Sequence, residues 1–255
     1  MSSVALITGA ASPMGRAIVQ RLAFAGIKVA AADSCKTATS QIAQEHRKVG
    51  GDVTGFAFDI AKAEHRKELI TKVEEELAGS VDSLVIVPPT NQITGNIFDA
   101  KEEECRQILT SHTILPLQMA QETMPSLSKS ANGSITLIGS VLGLQPVVDL
   151  GLFSLACTSL VGLTKILALS GGSQGVRVNS VLAGMFENDG SSGVWSKSDD
   201  QMAESVRQNL AGMTPVGRIG RVTDVSQAVE FLISSNASFI SGENLIISGG
   251  VSYRL

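Results

Sequence analysis

The sequence predicts an α/β fold, a single domain in which a doubly wound, seven-stranded parallel sheet carries helices on both faces. Short apolar runs alternate with longer stretches of helical period along the whole chain, the pattern of repeated strand and helix units. The length, 255 residues, suits one α/β core. No internal repeat and no linker divides the chain, so residues 1–255 are expected to form one unit.

Strands are expected at residues 4–7, 29–32, 53–58, 84–87, 134–138, 176–181 and 245–247, each a short apolar run rich in Val, Ile and Leu. Between them, Ile18 with Leu22, then Leu69, Ile70, Val73 and Leu77, and later Phe231 with Leu232, mark the inner faces of amphipathic helices. The stretch 152–169 is apolar almost all round (Leu152, Phe153, Leu155, Leu160, Val161, Leu163, Ile166, Leu167), so one side is expected on the sheet and another on a second copy of the chain. From 187 to 200 the composition turns to Asn, Asp, Gly, Ser and Lys around Trp195, marking a mobile, lid-like segment at about 185–212. A substrate lid and a solvated surface loop both fit that composition.

The net charge is -4, the pI is near 5.4, and no Lys/Arg run exceeds two residues, which argues against nucleic acid or an anionic membrane as partner. The first strand is expected from residue 4, leaving no room for a leader, and no apolar run approaches the ~20 residues of a membrane span. A soluble intracellular protein is expected. Cys35, Cys105 and Cys157 are odd in number and lack metal-ligand spacing, so reduced thiols and no metal site are expected.

The first strand runs into Thr8-Gly9-Ala10-Ala11-Ser12-Pro13-Met14-Gly15 and then a helix from Arg16. A strand, a Gly-containing turn and a helix N-terminus bring backbone N–H groups and a positive dipole end to one place, where a pyrophosphate can sit. Eighteen residues after Gly15, Asp33 stands where a carboxylate accepts from a ribose diol, which favours NAD(H) over the 2'-phosphate of NADP.

This turn resembles the Thr-Gly-x-x-x-Gly-x-Gly of the short-chain dehydrogenase/reductase family. Asp59 after the third strand, Arg177-Val178-Asn179 on the sixth, and Gly242-Glu243 with Gly249-Gly250 match it too, so the likeness covers the whole chain. The nearest subgroup is similar to the peroxisomal carbonyl reductases, sharing Gly-Gly-x-x-x-Arg-Leu at the end and Gly-Leu-Thr-Lys at Gly162 to Lys165. The resemblance implies a Rossmann fold, a homodimer or homotetramer, and a cofactor held by Gly9, Ser12, Met14, Gly15, Asp33, Asp59, Ile60, Gly184 and Asn188.

The departures cluster at the site. Pro13 replaces the middle Gly of the turn, removing an N–H. Ile86-Val87-Pro88-Pro89 stands for Asn-Asn-Ala-Gly after the fourth strand, Ala183-Gly184 for Pro-Gly, and Asn188 for the Thr that holds the carboxamide; an Asn can still bond an amide. Ser140 keeps the family's place, thirteen residues before Phe153. In active relatives that Ser positions a carbonyl, a Tyr exchanges the proton, a Lys acidifies the Tyr and binds the nicotinamide ribose, and an Asn completes a relay. Those last three positions here are Phe153, Cys157 and His112. Tyr253, three residues from the end, is the one Tyr in the chain and cannot be shifted into register; Lys165 lies about 12 Å along the helix from Cys157.

Phenylalanine has no proton to give and a neutral thiol no charge to lend, so ordinary ketone reduction is not expected. His112 with Ser140 is the candidate substitute pair, and filling of lost volume is the competing role for His112. Cys157, among Leu155, Ala156 and Leu160, reads as an inert core thiol. Val87, Leu142, Leu144 and Phe153 are expected to floor an apolar pocket. Three functions follow. The first is a non-catalytic member of the family, a pseudoenzyme acting as an NAD(H)-binding sensor, a scaffold or an inactive subunit beside an active paralogue. The second is a non-standard NAD(P)-dependent oxidoreductase, carbonyl-reductase-like, using Ser140 and His112. The third abandons hydride transfer, as the family's dehalogenases do, but they keep the Tyr that Phe153 replaces. Tyr253-Arg254-Leu255 matches the peroxisomal address only in its last two residues, so a cytoplasmic location is expected, with the peroxisome as alternative.

Overall fold

In the computed structural model of the chain, the described residues are 3–89, 93–187, 208–209 and 211–251. Seven strands form one sheet: β1 (Val4–Thr8), β2 (Lys28–Asp33), β3 (Val53–Ala57), β4 (Ser83–Ile86), β5 (Ser134–Ser140), β6 (Arg177–Ala183) and β7 (Asn244–Ile247). Every neighbouring pair is parallel, in the order β3-β2-β1-β4-β5-β6-β7. All seven expected strands are present. The order reverses between β1 and β4, and in doubly wound sheets the crevice beyond the carboxyl ends of those two strands receives the ligand.

Both faces are covered. Along β1, Val4 and Leu6 join a core with Leu69 of α3 (Ala63–Leu77), Met119 of α5 (Leu115–Leu127) and Leu163 of α6 (Gly151–Gly172). Ala5 and Ile7 face the other way, into a core with Ile18 and Leu22 of α1 (Pro13–Phe24), Ile42 of α2 (Lys36–Arg47) and Val225 and Val229 of α7 (Val222–Ile233). Burial on both faces is why the strands read as continuous apolar runs rather than alternating ones.

The helix over α6 extends a little beyond the expected stretch. Leu160, Leu163 and Leu167 sit in the core, while Ile166 and Leu169 are 63% and 84% exposed. Contrary to the expectation that no segment approaches a membrane span, α6 is long and apolar enough to cross one by length and composition, although half of that window is buried inside the fold. Interspersed Ser, Thr and Gly hide its apolar character from a count of consecutive residues.

Between α4 (Glu102–Leu109) and α5 the helix passes through a π turn, Thr110–Ile114. Pro116 lies four residues after His112 and has no N–H to return to its carbonyl, so α-helical bonding is interrupted there. Such wide turns are frequent at functional sites, and this one holds His112. Most of the expected lid at 185–212, with Trp195, lies outside the described residues, as do Asn188 and Tyr253 to Leu255.

Candidate active site

At the adenosine side, Gly9 leaves β1 with φ +70°, and a Cβ there would lie 2.2 Å from the carbonyl oxygen of Val87; one on Gly15 would lie 2.2 Å from that of Gly9. The turn is therefore closed to any larger residue at either position. Ser12 caps α1, its Oγ accepting from the Gly15 N–H at 3.0 Å and donating to the Gly9 carbonyl at 2.8 Å. Pro13 fits as the first helical residue, where its missing N–H costs the helix nothing. The N–H groups of Ala10, Ala11, Ser12 and Gly15 have acceptors within the protein. That of Met14, in the first turn of α1, has none among the described residues and faces the dipole's positive end.

Asp33 ends β2. Its Oδ2 accepts the Ala11 N–H at 3.1 Å and its Oδ1 the Cys35 N–H at 3.3 Å. A carboxylate has about four acceptor sites, so two remain for a ribose diol. The loop after β3 is held as firmly: Asp59 Oδ1 accepts from the Ala61 N–H, and the Ile60 carbonyl accepts from Arg66 Nη1 at 2.8 Å. Arg66 is buried, with its Nε 3.1 Å from Glu122 Oε1 on α5. Sequence reasoning missed Arg66; the available signal was a charged side chain three and four residues before Leu69 and Ile70, on the inner face of α3. A turn that only glycines can make, a helix start and a half-free carboxylate fit the adenosine diphosphate half of a dinucleotide.

The reaction side differs. Phe153 is 8% exposed and Cys157 1%, and both belong to a cluster with Ile108, Leu152 and Ala156, ringed by Ile93, Cys105, Leu142 and Leu150. Burial pushes the Cys157 thiol up to about 12, only partly opposed by the Ser140 backbone N–H that bonds it. The thiol is neutral throughout the physiological range. A short 3-10 turn after β5 is pressed onto α6 at this point, and a Cβ on Gly143 would lie 2.7 Å from the Cys157 carbonyl. The cluster is clasped from outside by the Gly95 N–H, which donates to the Asp149 carbonyl at 2.9 Å.

His112 is 2% exposed and meets Phe153 edge to face, ring centroids 5.5 Å apart. Its Nδ1 lies 3.1 Å from the Ile108 carbonyl, which can only accept, so Nδ1 carries the proton and Nε2 the lone pair. Ser111 Oγ stands 2.8 Å from the same Nδ1. Burial lowers the His112 pKa below its ordinary value, against a smaller opposing effect of the Ile108 carbonyl. Ser140 Oγ accepts from the Leu142 N–H at 3.3 Å, capping its own turn. No hydrogen bond joins His112 to Ser140 among the described residues. The expected pocket floor is not formed as one surface: Val87 packs into the α1 and α7 core, Leu144 against the α3, α5 and α6 core, and Leu142 with Phe153 into the small cluster. Val87 follows β4, Leu142 and Leu144 belong to the turn after β5 and Phe153 to α6, so the four side chains enter different clusters.

Among the described residues, backbone donors beyond the ends of β4 and β6 are engaged within the protein. The Val87 N–H donates to the Thr8 carbonyl, Pro88 and Pro89 have none, and the N–H groups of Gly184 and Glu187 go to Ile247 and Gly220. Cys157, not a lysine, stands four residues after Phe153 on α6. Among the described residues no cluster of His, Cys, Asp and Glu could hold a metal ion.

A family model described as enoyl-(acyl carrier protein) reductase matches residues 9–252. Dehydrogenase/reductase SDR family member 4 of Sus scrofa is 32% identical over 254 residues, covering 100% of this chain and 88% of that protein. The Homo sapiens protein of the same name is 30% identical over 254 residues, covering 100% and 89%. Dehydrogenase/reductase SDR family member 2, mitochondrial, of Homo sapiens is 30% identical over 246 residues, covering 96% and 85%. Among solved structures, a mutant short-chain dehydrogenase/reductase of Serratia marcescens superposes with a TM-score of 0.85 at 24% identity, covering 98% of each chain, which shows the shared fold. With a family match spanning nearly the whole sequence and relatives of this identity, the chain belongs to the short-chain dehydrogenase/reductase family.

Proposed function

We propose that this protein is a family member with a degenerate active site that lacks ordinary ketone/alcohol oxidoreductase activity and keeps the adenosine side of the cofactor site. The observation that carries this reading is the buried apolar cluster at Phe153 and Cys157, with a thiol at about 12 where the chemistry needs a cation. A bound nicotinamide cofactor would supply hydride. The chain supplies no phenol and no ammonium group to move the matching proton, a loss of about 10² to 10⁴ in rate for the acid alone. Asp33 favours NAD(H) over NADP(H), whose 2'-phosphate would meet its negative charge.

The roles that fit are an NAD(H) sensor, a scaffold, or an inactive subunit beside an active family member. The exposed Leu155, Ile166 and Leu169 along α6 support self-association as a homodimer or homotetramer. A cytoplasmic site of action is proposed, with the peroxisome as alternative. A carbonyl-reductase-like activity through His112 and Ser140 is the second reading, favoured by one observation, the unprotonated Nε2 of a neutral His112 beside Phe153.

The test is a titration of NADH and NADPH followed by fluorescence or calorimetry, with turnover assayed on dicarbonyl and aromatic ketone panels. NADH binding without turnover is expected. Steady turnover abolished by His112→Ala would establish the second reading instead.

A further inference from the structure

We propose that His65 is a proton-sensitive latch on the loop after β3: the neutral imidazole holds Asp59 in place, and its protonation releases that end of the loop. The latch lies on the crevice rim beside the end of β2 and works whether or not the reaction side is active.

Residues 59–62 carry the chain from β3 into α3, and two neighbouring side chains of that helix hold them. His65, half-buried, accepts the Asp59 N–H on Nδ1 at 3.2 Å. An N–H can only donate, so Nδ1 carries the lone pair and the ring proton sits on Nε2. The ring is set edge to face against Phe58, with centroids 5.8 Å apart and planes at 84°. Arg66 grips the other end: its Nη1 donates to the Ile60 carbonyl at 2.8 Å and to that of Ala61 at 3.4 Å, and its Nε is tied to Glu122 of α5 at 3.1 Å. Asp59 organises the turn between them, its Oδ1 accepting from the Ala61 N–H at 3.0 Å and its carbonyl from the Lys62 N–H at 3.1 Å. One residue earlier, the Phe58 N–H donates to the Asp33 carbonyl at 2.9 Å, which joins the latched residue to the end of β2.

The two anchors answer differently to pH. A guanidinium stays protonated in proteins, so the grip of Arg66 is constant. Histidine exchanges its proton between about pH 5 and pH 8. An imidazolium donates from both nitrogens, which sets Nδ1–H against the Asp59 N–H, donor facing donor, and the bond is lost. The charged groups about the ring are Asp59 on the loop, Lys62 and Glu68 three residues to either side, and Glu64 and Arg66 beside it. Phe58 presents hydrocarbon, Glu122 of α5 is taken by Arg66, and the Asp33 carboxylate is turned to the Ala11 and Cys35 N–H groups. The helix α2 packs into the opposite core through Ile42, away from α3. Acidification therefore frees the Asp59 end of the loop and leaves the Ile60 and Ala61 end gripped.

The experiment is hydrogen exchange of the full chain, resolved to the Asp59 amide and corrected for intrinsic rate, at about pH 8 and about pH 5 on the native chain, His65→Asn and His65→Ala. Asn places an uncharged acceptor, Oδ1, where the histidine has Nδ1, and Ala places none. The expected result is that Asp59 protection in the native chain falls by about tenfold from the higher pH to the lower, the worth of one hydrogen bond, while His65→Asn keeps its protection at both and His65→Ala lacks it at both. A fall of less than about threefold in the native chain, an equal fall in His65→Asn, or a His65→Ala as protected as the native chain at the higher pH would overturn the proposal. The amides of the central strand β1 report on the whole fold and should stay protected throughout; a fall shared by them would mark global opening instead of a latch and would equally overturn it.

Discussion

Asp33 ends β2 on one side of the point where strand order reverses, and Ser140 ends β5 on the other; the surroundings of the two carboxyl-terminal strand ends differ. Around Asp33 the polar groups hold one another in place and leave capacity over: a carboxylate with two acceptor positions, an unpaired N–H, a braced loop. Around Ser140 the hydroxyl caps its own turn, and hydrocarbon packs about Phe153 and Cys157. Burial does opposite things in the two places. Arg66 is buried because it satisfies the Ile60 carbonyl and pairs with Glu122, whereas Cys157 is buried because it behaves as a small hydrophobe. On the proposed reading, the half of the site built from backbone geometry is kept and the half built from side-chain chemistry is lost, since the fold closes the Gly9–Gly15 turn to larger residues and sets no such limit at Phe153.

The largest consequence should be in thiol chemistry. With its thiol at about 12 against an ordinary 9.0, a difference of three pH units, Cys157 has about 10³ less thiolate than an ordinary thiol at pH 8, besides being buried. Iodoacetamide labelling of the folded protein followed by mass spectrometry should mark the exposed Cys35 and leave Cys157 unmodified. Equal labelling would mean that the reaction side is open.

Next in size, Phe153→Ala should destabilise the protein by about 3–5 kcal/mol in urea unfolding, the cost of a cavity in a packed cluster. A cost under about 1 kcal/mol would show a side chain lining free space instead. Asp33→Ala should have the converse profile, with a small effect on the urea midpoint and an adenosine-nucleotide affinity lower by about tenfold.

The smallest effect concerns pH. His112 is held neutral by burial, with its folded pKa below the ordinary 6.5. The unfolded chain takes up that proton first on acidification, so the stabilisation is full above about pH 6.5 and lost as pH falls toward the folded value. His112→Gln should flatten the decline of the melting temperature between pH 7 and pH 5. An unchanged slope would show that His112 already titrates as a solvated group.

Much of this was legible in the chain itself, for physical reasons that also mark where the reading stopped. Strands buried on both faces announce themselves as apolar runs, and the Gly9–Gly15 turn reads as a turn because only glycine tolerates it. The helix α2 gave no such signal: it buries only Thr39, Ile42 and Ala43, too little for a 3.6-residue period to stand out. At the site, the identities of Phe153, Cys157 and His112 set the expectation that ordinary ketone reduction does not run. They could not tell that Ile108 and Leu152 close over them or that Gly95 pairs with Asp149, because those contacts join segments far apart in sequence. Arg66 was hidden by a reasonable prior, that a charged residue on a helix faces water.

The most direct test restores the two missing side chains together, in Phe153→Tyr/Cys157→Lys, and measures NADH-dependent ketone reduction beside the circular dichroism spectrum and melting temperature. A packed apolar cluster should reject the ammonium group: a folded protein at 25 °C with a lowered melting temperature and no turnover is the expected result. A variant that keeps its melting temperature and reduces ketones steadily would contradict it, because the site would then have been intact but for those two groups.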